Sequence, residues 1–258
     1  MLAFAANLNF LFTELPFLDR FEAASKAGFK AVESTDPYQV SASEIAAGLK
    51  ANGLTFALLN TPVGDTQTAE RGLAALQDRE KDFQSALETA LRLAELTGGR
   101  QVHVLAGLVH QGARRATYVA NLKAAAKLAA KDGVTLLIEP INRRDIPGYF
   151  LNRTEDARSV IHEVGEPNLG LQFDIYHRQV EQGDVIMAMR EFRPLIRHYQ
   201  IASPPDRGEP DDGELNYRTL FREIDASGFT GFVGCEYRPR RGTVEGLRWA
   251  EACGVRIG

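Results

Sequence analysis

The stretch Gly170-Leu-Gln-Phe-Asp-Ile-Tyr-His177 combines the pattern of a buried β-strand with polar residues at its far end. Apolar side chains alternate from Leu169 onward, which predicts a strand over residues 169–176. Asp174 lies inside this run, and His177 follows where the strand should meet a loop. A carboxylate in an apolar strand is costly to bury without a partner. The stretch therefore indicates a functional site at the end of a strand.

Strands and helices alternate on both sides of this stretch. Strands are predicted over residues 2–7, 31–33, 54–60, 101–107, 134–139, 169–176, 196–202 and 232–237. Helical patterns cover residues 17–27, 43–52, 79–96, 117–131, 154–164, 184–192 and 243–253. Eight strands that alternate with helical patterns, without a linker-like segment, predict one α/β domain over residues 1–258, a (β/α)₈ TIM barrel. A doubly wound sheet would carry a glycine-rich loop after its first strand, but residues 7–16 contain no glycine.

Composition excludes several classes of protein. The chain is 44% hydrophobic and 25% charged with a net charge of −4, and it has no basic stripe, which argues against nucleic acid as its main partner. Its start lacks the basic region and apolar core of a signal peptide, and no run approaches the roughly 18 apolar residues of a membrane span. The two cysteines do not suggest a disulfide framework. We therefore expect a cytoplasmic protein without a membrane partner.

Polar residues end the predicted strands, at the face where (β/α)₈ barrels place their active sites. They are Asn7, Glu33, Asn60, His103, Glu139, Asp174, Gln200 and Glu236. The carboxylates of Glu139, Asp174 and Glu236 would repel one another at one barrel mouth without a cation. Carboxylate and amide oxygens are hard donors that suit Mg²⁺ or Mn²⁺.

Other interpretations of these residues remain open at this point. The acidic residues could form a salt-bridge network with Arg143, Arg144, Arg207 or Arg238. Glu33 could pair with a neighbouring Lys or Arg. His103 could reach the mouth as a substrate contact, or it could be a core histidine.

Six segments, in order along the chain, resemble the hydroxypyruvate isomerase family of xylose-isomerase-like barrels. They are Ile138-Glu-Pro-Ile-Asn142, Pro147-Gly-Tyr-Phe-Leu-Asn152, Gln172-Phe-Asp-Ile-Tyr-His177, Tyr199-Gln-Ile-Ala202, Gly213-Glu-Leu-Asn-Tyr217 and Gly234-Cys-Glu-Tyr-Arg238. The similarity extends from about Phe4 to Trp249. It implies an isomerase that is a homo-oligomer.

The resemblance also implies roles for individual residues. A divalent metal would be held by Glu139, Asp174, Gln200 and Glu236. Glu139 and Glu236 would also be the catalytic acid–base pair. His177 and Arg207 would contact substrate oxygens. Gln200 favours the hydroxypyruvate isomerase branch, because ketose epimerases usually have histidine there.

The implied reaction interconverts hydroxypyruvate and tartronate semialdehyde, a small hydroxy-carbonyl acid pair, through a metal-stabilised enediolate. Three departures from the family pattern bear on the substrate. In Glu33-Ser-Thr-Asp-Pro-Tyr38, the family usually has an apolar pair before Pro-Tyr. After the seventh strand, Ser203 and Gly208 stand where relatives typically have Asp and His. The alternatives are a 2-oxo-tetronate isomerase, a ketose 3-epimerase, a metal-dependent endonuclease-like hydrolase and a binding barrel without turnover.

Overall fold

The computed structural model describes residues 2–258, which form a closed eight-stranded parallel barrel. The strands are β1 (Ala3–Asn7), β2 (Ala31–Ser34), β3 (Thr55–Asn60), β4 (Gln101–His103), β5 (Thr135–Ile138), β6 (Leu169–Asp174), β7 (Ile196–Ile201) and β8 (Phe232–Cys235). Each strand pairs with the next along the chain, and β8 pairs with β1, so that Ala6 lies opposite Cys235. The prediction of a TIM barrel is confirmed.

Helices surround the barrel and bury one face against it. They are α1 (Asp19–Lys26), α2 (Ala42–Asn52), α3 (Glu80–Thr97), α4 (Arg115–Ala130), α5 (Thr154–Val164), α6 (Ile175–Glu181), α7 (Val185–Phe192), α8 (Tyr217–Ala226), α9 (Thr243–Gly246) and α10 (Trp249–Ala252), with a short 3-10 helix at Val109–Gln111. In α3, for example, Phe83, Leu87 and Leu91 recur every four residues and are buried. Among residues 2–258, no helix has the length and hydropathy needed to cross a bilayer.

Four elements differ from the sequence prediction. The predicted fourth strand ends at His103 instead of residue 107, because residues 104–107 leave the barrel and contact the loop around Gly72. Helix α8 received no bounds from the sequence pattern. The predicted last helix is divided into α9 and α10.

The fourth difference lies at Asp174, where the predicted strand gives way to helix α6. Asp174 Oδ1 accepts hydrogen bonds from the backbone N–H groups of Tyr176 (2.7 Å) and His177 (3.3 Å), so it is the N-cap of this helix. Ile175 and Tyr176 are buried in either conformation, and for that reason apolar alternation could not reveal the change. The cap fixes one oxygen of Asp174 and leaves the other facing the barrel mouth.

The barrel interior changes from apolar to polar along its axis. Ala5 and Ala31 form a small apolar cluster with Ala57. Asn7 and Glu33 come two residues after Ala5 and Ala31, on the same face of their strands, and both are buried. A polar layer therefore lies directly below the mouth of the barrel, defined here as the carboxyl ends of its strands.

Candidate active site

Three buried carboxylates meet at the mouth. Glu139 directly follows β5, Asp174 ends β6 and Glu236 directly follows β8, and they are 5%, 3% and 7% exposed. Glu139 Oε1 and Asp174 Oδ2 are buried and have no hydrogen-bond partner within residues 2–258. Ligand atoms of Glu139, Asp174 and His177 lie within 4.8 Å of one another. The structure thus brings together the three acidic residues predicted from the sequence.

The two unpartnered oxygens have the chemistry of a site for a hard divalent cation. A buried carboxylate oxygen without a partner is strongly destabilising. A cation shared by Glu139 and Asp174 would remove that cost, and oxygen is the donor that Mg²⁺ and Mn²⁺ prefer. The residues therefore fit the predicted type of metal.

Arg207 reaches the same carboxylates from the loop after β7. Its Nη2 donates to Glu236 Oε1 (2.5 Å) and lies 3.7 Å from Asp174 Oδ2, while Nη1 donates to Asp145 Oδ2 (3.2 Å). The guanidinium carbon lies 4.9 Å from the centre of the Phe10 ring and 5.0 Å from that of Tyr176. Cation–π contacts and ion pairs thus hold the guanidinium directly against the carboxylates.

The other three arginines of the salt-bridge alternative do not contact the three carboxylates. Arg143 pairs with Glu181, and Arg144 donates to the hydroxyl of Tyr176. Arg207 is the one Lys or Arg of residues 2–258 with a nitrogen within 4.0 Å of any of the three carboxylates. Of the proposed salt-bridge network, only the contacts of Arg207 with Asp174 and Glu236 are present, and Glu139 has no ion pair with an arginine in the described chain.

His177 projects from α6 toward Glu139 and Asp174. Its ring nitrogen Nδ1 contacts Asn142. Asn142 Nδ2 lies 2.6 Å from His177 Nδ1, and the Asn142 backbone N–H also points at this nitrogen, at 3.4 Å. The Asn142 side-chain oxygen accepts from the N–H of Asp145 (2.8 Å), which fixes the amide orientation. His177 Nδ1 is therefore an acceptor, so the ring carries its proton on Nε2. With this tautomer His177 Nε2 is an N–H group, and it lies 3.6 Å from Asp174 Oδ2 and 3.5 Å from Arg207 Nη2.

His103 is buried beside Glu139. Its Nδ1 lies 3.5 Å from Glu139 Oε2, but neither ring nitrogen makes a hydrogen bond within the described chain. Burial, with a smaller contribution from His198, lowers the pKa of His103 to about 3, so the ring is neutral at pH 7. The structure brings His103 to Glu139, and its contact with substrate stays a prediction.

Gln200 faces the site with its amide nitrogen. Its Nε2 donates to Glu236 Oε2 (2.6 Å) and to Glu33 Oε1 (2.9 Å). Its oxygen accepts from Gln172 Nε2 (2.6 Å). In this arrangement the oxygen that was predicted to bind metal is turned toward β6.

Comparison with known proteins shows the family to which the chain belongs. Residues 21–253 match the family described as xylose isomerase-like TIM barrel. The chain belongs to this family. The predicted resemblance to xylose-isomerase-like barrels is confirmed.

Curated relatives within the family are isomerases. A 2-oxo-tetronate isomerase from Cupriavidus necator is 52% identical over 250 residues, which cover 95% of this chain and 96% of the relative. The hydroxypyruvate isomerase of Escherichia coli is 43% identical over 255 residues, covering 97% and 99%. A crystal structure described as AP endonuclease, family 2, from Brucella melitensis superposes with a TM-score of 0.94 at 42% identity, covering 97% of this chain and 98% of that one.

Ser203 and Gly208, the two departures in the loop after β7, pair with each other through their backbones. The N–H of Ser203 donates to the Gly208 carbonyl (2.8 Å), and that of Gly208 donates to the Ser203 carbonyl (3.1 Å). Between them Arg207 has a φ of +57°, a left-handed backbone that is unfavourable for a residue with a Cβ. The pair therefore shapes the short loop that delivers Arg207.

Sequence reasoning assigned no role to two residues that shape the site. Asn142 lies in the quoted segment Ile138-Glu-Pro-Ile-Asn142, so its place in a family motif was the available signal. Asp145 follows two arginines, where a charged residue is indistinguishable from ordinary loop surface. It contacts both Arg207 and the hydroxyl of Tyr176 (3.0 Å).

Burial dominates the electrostatics of the carboxylates. It raises the pKa of Asp174 to about 6 and that of Glu236 to about 8, although Arg207 opposes both shifts. Burial, followed by the charges of Glu236 and Asp174, also raises the pKa of Glu139. Burial, with Arg207 second, lowers the pKa of His177. Ionised carboxylates and a neutral histidine are the forms that a bound cation would favour.

These shifts predict how stability changes with pH in metal-free protein. Carboxyl groups with raised pKa stabilise the fold at pH below their unfolded pKa near 4.5, and this stability is lost as pH rises through about 8. Buried histidines act oppositely, but only below about pH 6.5. We expect the melting temperature with a chelator to fall between about pH 6.5 and 8.5, measured by circular dichroism. Glu236→Gln should flatten this decline, and equal slopes for both proteins would contradict the prediction.

Proposed function

We propose that this protein is an isomerase that moves the carbonyl of a small hydroxy-carbonyl acid between C2 and C3. The observation that carries the proposal is the presence of two buried glutamates, Glu139 and Glu236, after different strands at one barrel mouth, with Arg207 beside them. Two carboxyl groups are what a reaction needs when a proton leaves one carbon and another is delivered to its neighbour. Arg207 supplies the positive charge that a carboxylate substrate requires.

Glu139 and Asp174 would hold a divalent metal through their unpartnered oxygens, with Glu236 as the third carboxylate at the mouth. When bound, Mg²⁺ or Mn²⁺ would supply a Lewis acid that stabilises negative charge on the substrate oxygens. The proposal names Mg²⁺ and Mn²⁺ together, because both ions prefer oxygen ligands.

The proton transfers belong to the protein. In the direction from hydroxypyruvate, one glutamate removes a proton from C3, and a proton is delivered at C2 by the other glutamate. The hydroxyl proton moves from the oxygen on C3 to the oxygen on C2, so that the aldehyde of tartronate semialdehyde results. With its proton on Nε2, His177 would donate to the developing oxyanion.

Arg207 links substrate binding to proton transfer by Glu236. Its Nη2 pairs with Glu236 Oε1 at 2.5 Å. A substrate carboxylate that takes this guanidinium arm would replace Glu236 as its partner and free the glutamate for proton transfer. The stack of Arg207 between Phe10 and Tyr176 keeps the guanidinium plane in place during the exchange.

Two substrates share this chemistry, hydroxypyruvate with three carbons and 2-oxo-tetronate with four. The Cupriavidus necator relative carries the name of the four-carbon substrate and the Escherichia coli relative that of the three-carbon substrate. The higher identity of the former supports 2-oxo-tetronate as a substrate alongside hydroxypyruvate. We also propose, from the resemblance and the cysteine content, a homo-oligomer that works in the cytoplasm.

Proton exchange followed by NMR in D₂O tests the function directly. Purified protein with Mg²⁺ or Mn²⁺ is incubated with hydroxypyruvate, tartronate semialdehyde, 2-oxo-tetronate and a ketohexose. Enzyme-dependent deuterium uptake next to the carbonyl of an acid, with formation of its isomer, is the expected result. Uptake only with the ketohexose would establish an epimerase instead, and no uptake from folded, metal-loaded protein would contradict the proposal.

The two more distant alternatives have less support in the site. Apurinic-site endonucleases of this architecture need several zinc ions and histidines. Residues 2–258 contain one group of three possible ligands, Glu139, Asp174 and His177, with a single histidine. A binding barrel without turnover has no use for a second buried glutamate, Glu236, paired with Arg207.

A further inference from the structure

Glu33 is a buried carboxylate below the mouth that the proposed mechanism does not use. It lies on β2, is 1% exposed, and spans the barrel interior to residues of β1, β7 and β8. Its partners are neither Lys nor Arg. Glu33 Oε2 lies 2.7 Å from His198 Nε2, and Oε1 accepts from the side-chain amides of Asn7 (3.0 Å) and Gln200 (2.9 Å).

The same two amides connect Glu33 to the catalytic Glu236. Each NH₂ group has two hydrogens to donate. Asn7 Nδ2 gives its second hydrogen to Glu236 Oε2 (2.9 Å), and Gln200 Nε2 donates to that oxygen as well (2.6 Å). Four hydrogen bonds through two amide groups therefore join one oxygen of Glu33 to one oxygen of Glu236.

This arrangement fixes which way the amide of Gln200 points. If the amide were reversed, its oxygen would face oxygens of both Glu33 and Glu236, and its nitrogen would face Gln172 Nε2. Neither contact would then have a complementary donor and acceptor. The carboxylate of Glu33 thus selects the orientation in which Gln200 donates to Glu236.

The backbone of β8 leaves space for this carboxylate. A Cβ atom placed on Gly234 would lie 2.4 Å from both carboxylate oxygens of Glu33. Such a distance is far below van der Waals contact, so the carboxylate occupies the volume that any side chain at position 234 would need. Gly234 and Glu33 form a matched pair across the barrel interior.

We propose that Glu33 is a positioning residue for Glu236, acting through Asn7 and Gln200. Two donors hold Glu236 Oε2 in the barrel interior, and Oε1 is left on the side of Arg207 and the substrate. Glu236 Oε1 is then the oxygen that exchanges the proton. The inference rests on the proposed acid–base function of Glu236.

Two substitutions of Glu33 separate positioning from a purely structural role. Glu33→Met has a similar length but no acceptor, so kcat should fall by about 10- to 100-fold, as for other supporting residues, with little change in KM. Glu33→Gln keeps one oxygen for both amides. Its NH₂ group can donate to His198, whose Nδ1 is unpartnered and can carry the ring proton. We expect Glu33→Gln to restore kcat to within about threefold of wild type.

The matched control is Glu95→Met, an exposed residue of α3, which should leave kcat unchanged. Equal kcat values for wild type and folded Glu33→Met would overturn the inference. So would equal losses in Glu33→Gln and Glu33→Met, because the loss would then follow the charge and not the acceptor oxygen.

Metal affinity gives a readout that does not depend on turnover. Glu33→Met should bind Mn²⁺ within about threefold of wild type, measured by electron paramagnetic resonance of the free ion, because Glu33 makes no hydrogen bond to Glu139 or Asp174. Mn²⁺ binding weakened by more than about tenfold would show that Glu33 supports the metal site instead of Glu236, and this would overturn the inference.

Crystal structures of the variants keep the inference testable if the proposed function fails. If wild-type protein turns over none of the acids, a displaced Glu236 carboxylate in Glu33→Met, with the wild-type position retained in Glu33→Gln, would still support positioning. An unmoved Glu236 in both would overturn it. If Glu33→Met does not fold, Asn7→Ala removes one of the two amide links and should displace the same carboxylate; an unmoved Glu236 would again overturn the inference.

Discussion

Replacing Glu139 or Glu236 by glutamine should lower kcat by about 10²- to 10⁴-fold on the preferred substrate. Glutamine has nearly the same shape but cannot accept or return a proton. At Glu236 the substitution also disturbs the contact with Arg207, whose Nη2 would meet a neutral amide instead of a carboxylate. The structural cost should be small, because the amide has nearly the same size as the carboxyl group and its oxygen can still accept a hydrogen bond.

The measurement is steady-state turnover together with deuterium uptake for wild type and each variant, after circular dichroism shows that the fold is retained. Glu95→Gln, in which an exposed glutamate of α3 is replaced, is the control and should match wild type. Wild-type turnover in either active-site variant would mean that the two-carboxylate mechanism is wrong.

Replacing Asp174 by asparagine should weaken Mn²⁺ binding by at least about 100-fold, the upper end of what loss of a supporting residue costs. Asp174 Oδ2 is one of the two unpartnered buried oxygens at the mouth, and a neutral amide cannot supply its charge. Asparagine is chosen because its oxygen can still cap α6, as Asp174 Oδ1 does now. Alanine would remove the cap and the ligand together.

Titration of Mn²⁺ by electron paramagnetic resonance or calorimetry measures this affinity. Asp206→Asn is the matched control, because Asp206 is an exposed residue of the loop that carries Arg207 and the substitution changes the charge equally. Unchanged Mn²⁺ affinity in Asp174→Asn would show that the cation site has been placed wrongly.

The barrel was predictable because its evidence is repeated along the chain. Eight apolar runs, nearly all separated by helical patterns, leave few architectures for a chain of this length. The end of β6 was not predictable from periodicity, since Ile175 and Tyr176 are buried whether they continue a strand or begin a helix. Helix α8 follows a polar loop of irregular sequence that hid its start.

The acidic residues of the site were also predictable, because a carboxylate at the end of an apolar strand is conspicuous. The direction in which each polar group points was not. The amide of Gln200 and the ring of His177 are oriented by Glu33 and Asn142, which lie 167 and 35 positions away along the chain. Such orientation depends on hydrogen bonds across the barrel, which one-dimensional patterns do not record.

The contacts of Glu33 across the barrel connect residues from the two ends of the chain, which have different proposed roles. Apart from His103, the residues proposed to contact metal or substrate all follow residue 130, whereas Asn7 and Glu33 come from the first two strands. Glu236, the proposed proton-transfer group, lies 229 positions after Asn7, so its support exists only when β8 has paired with β1. If Glu236 is the proposed acid–base residue, activity requires a closed barrel and would itself report that the barrel has closed.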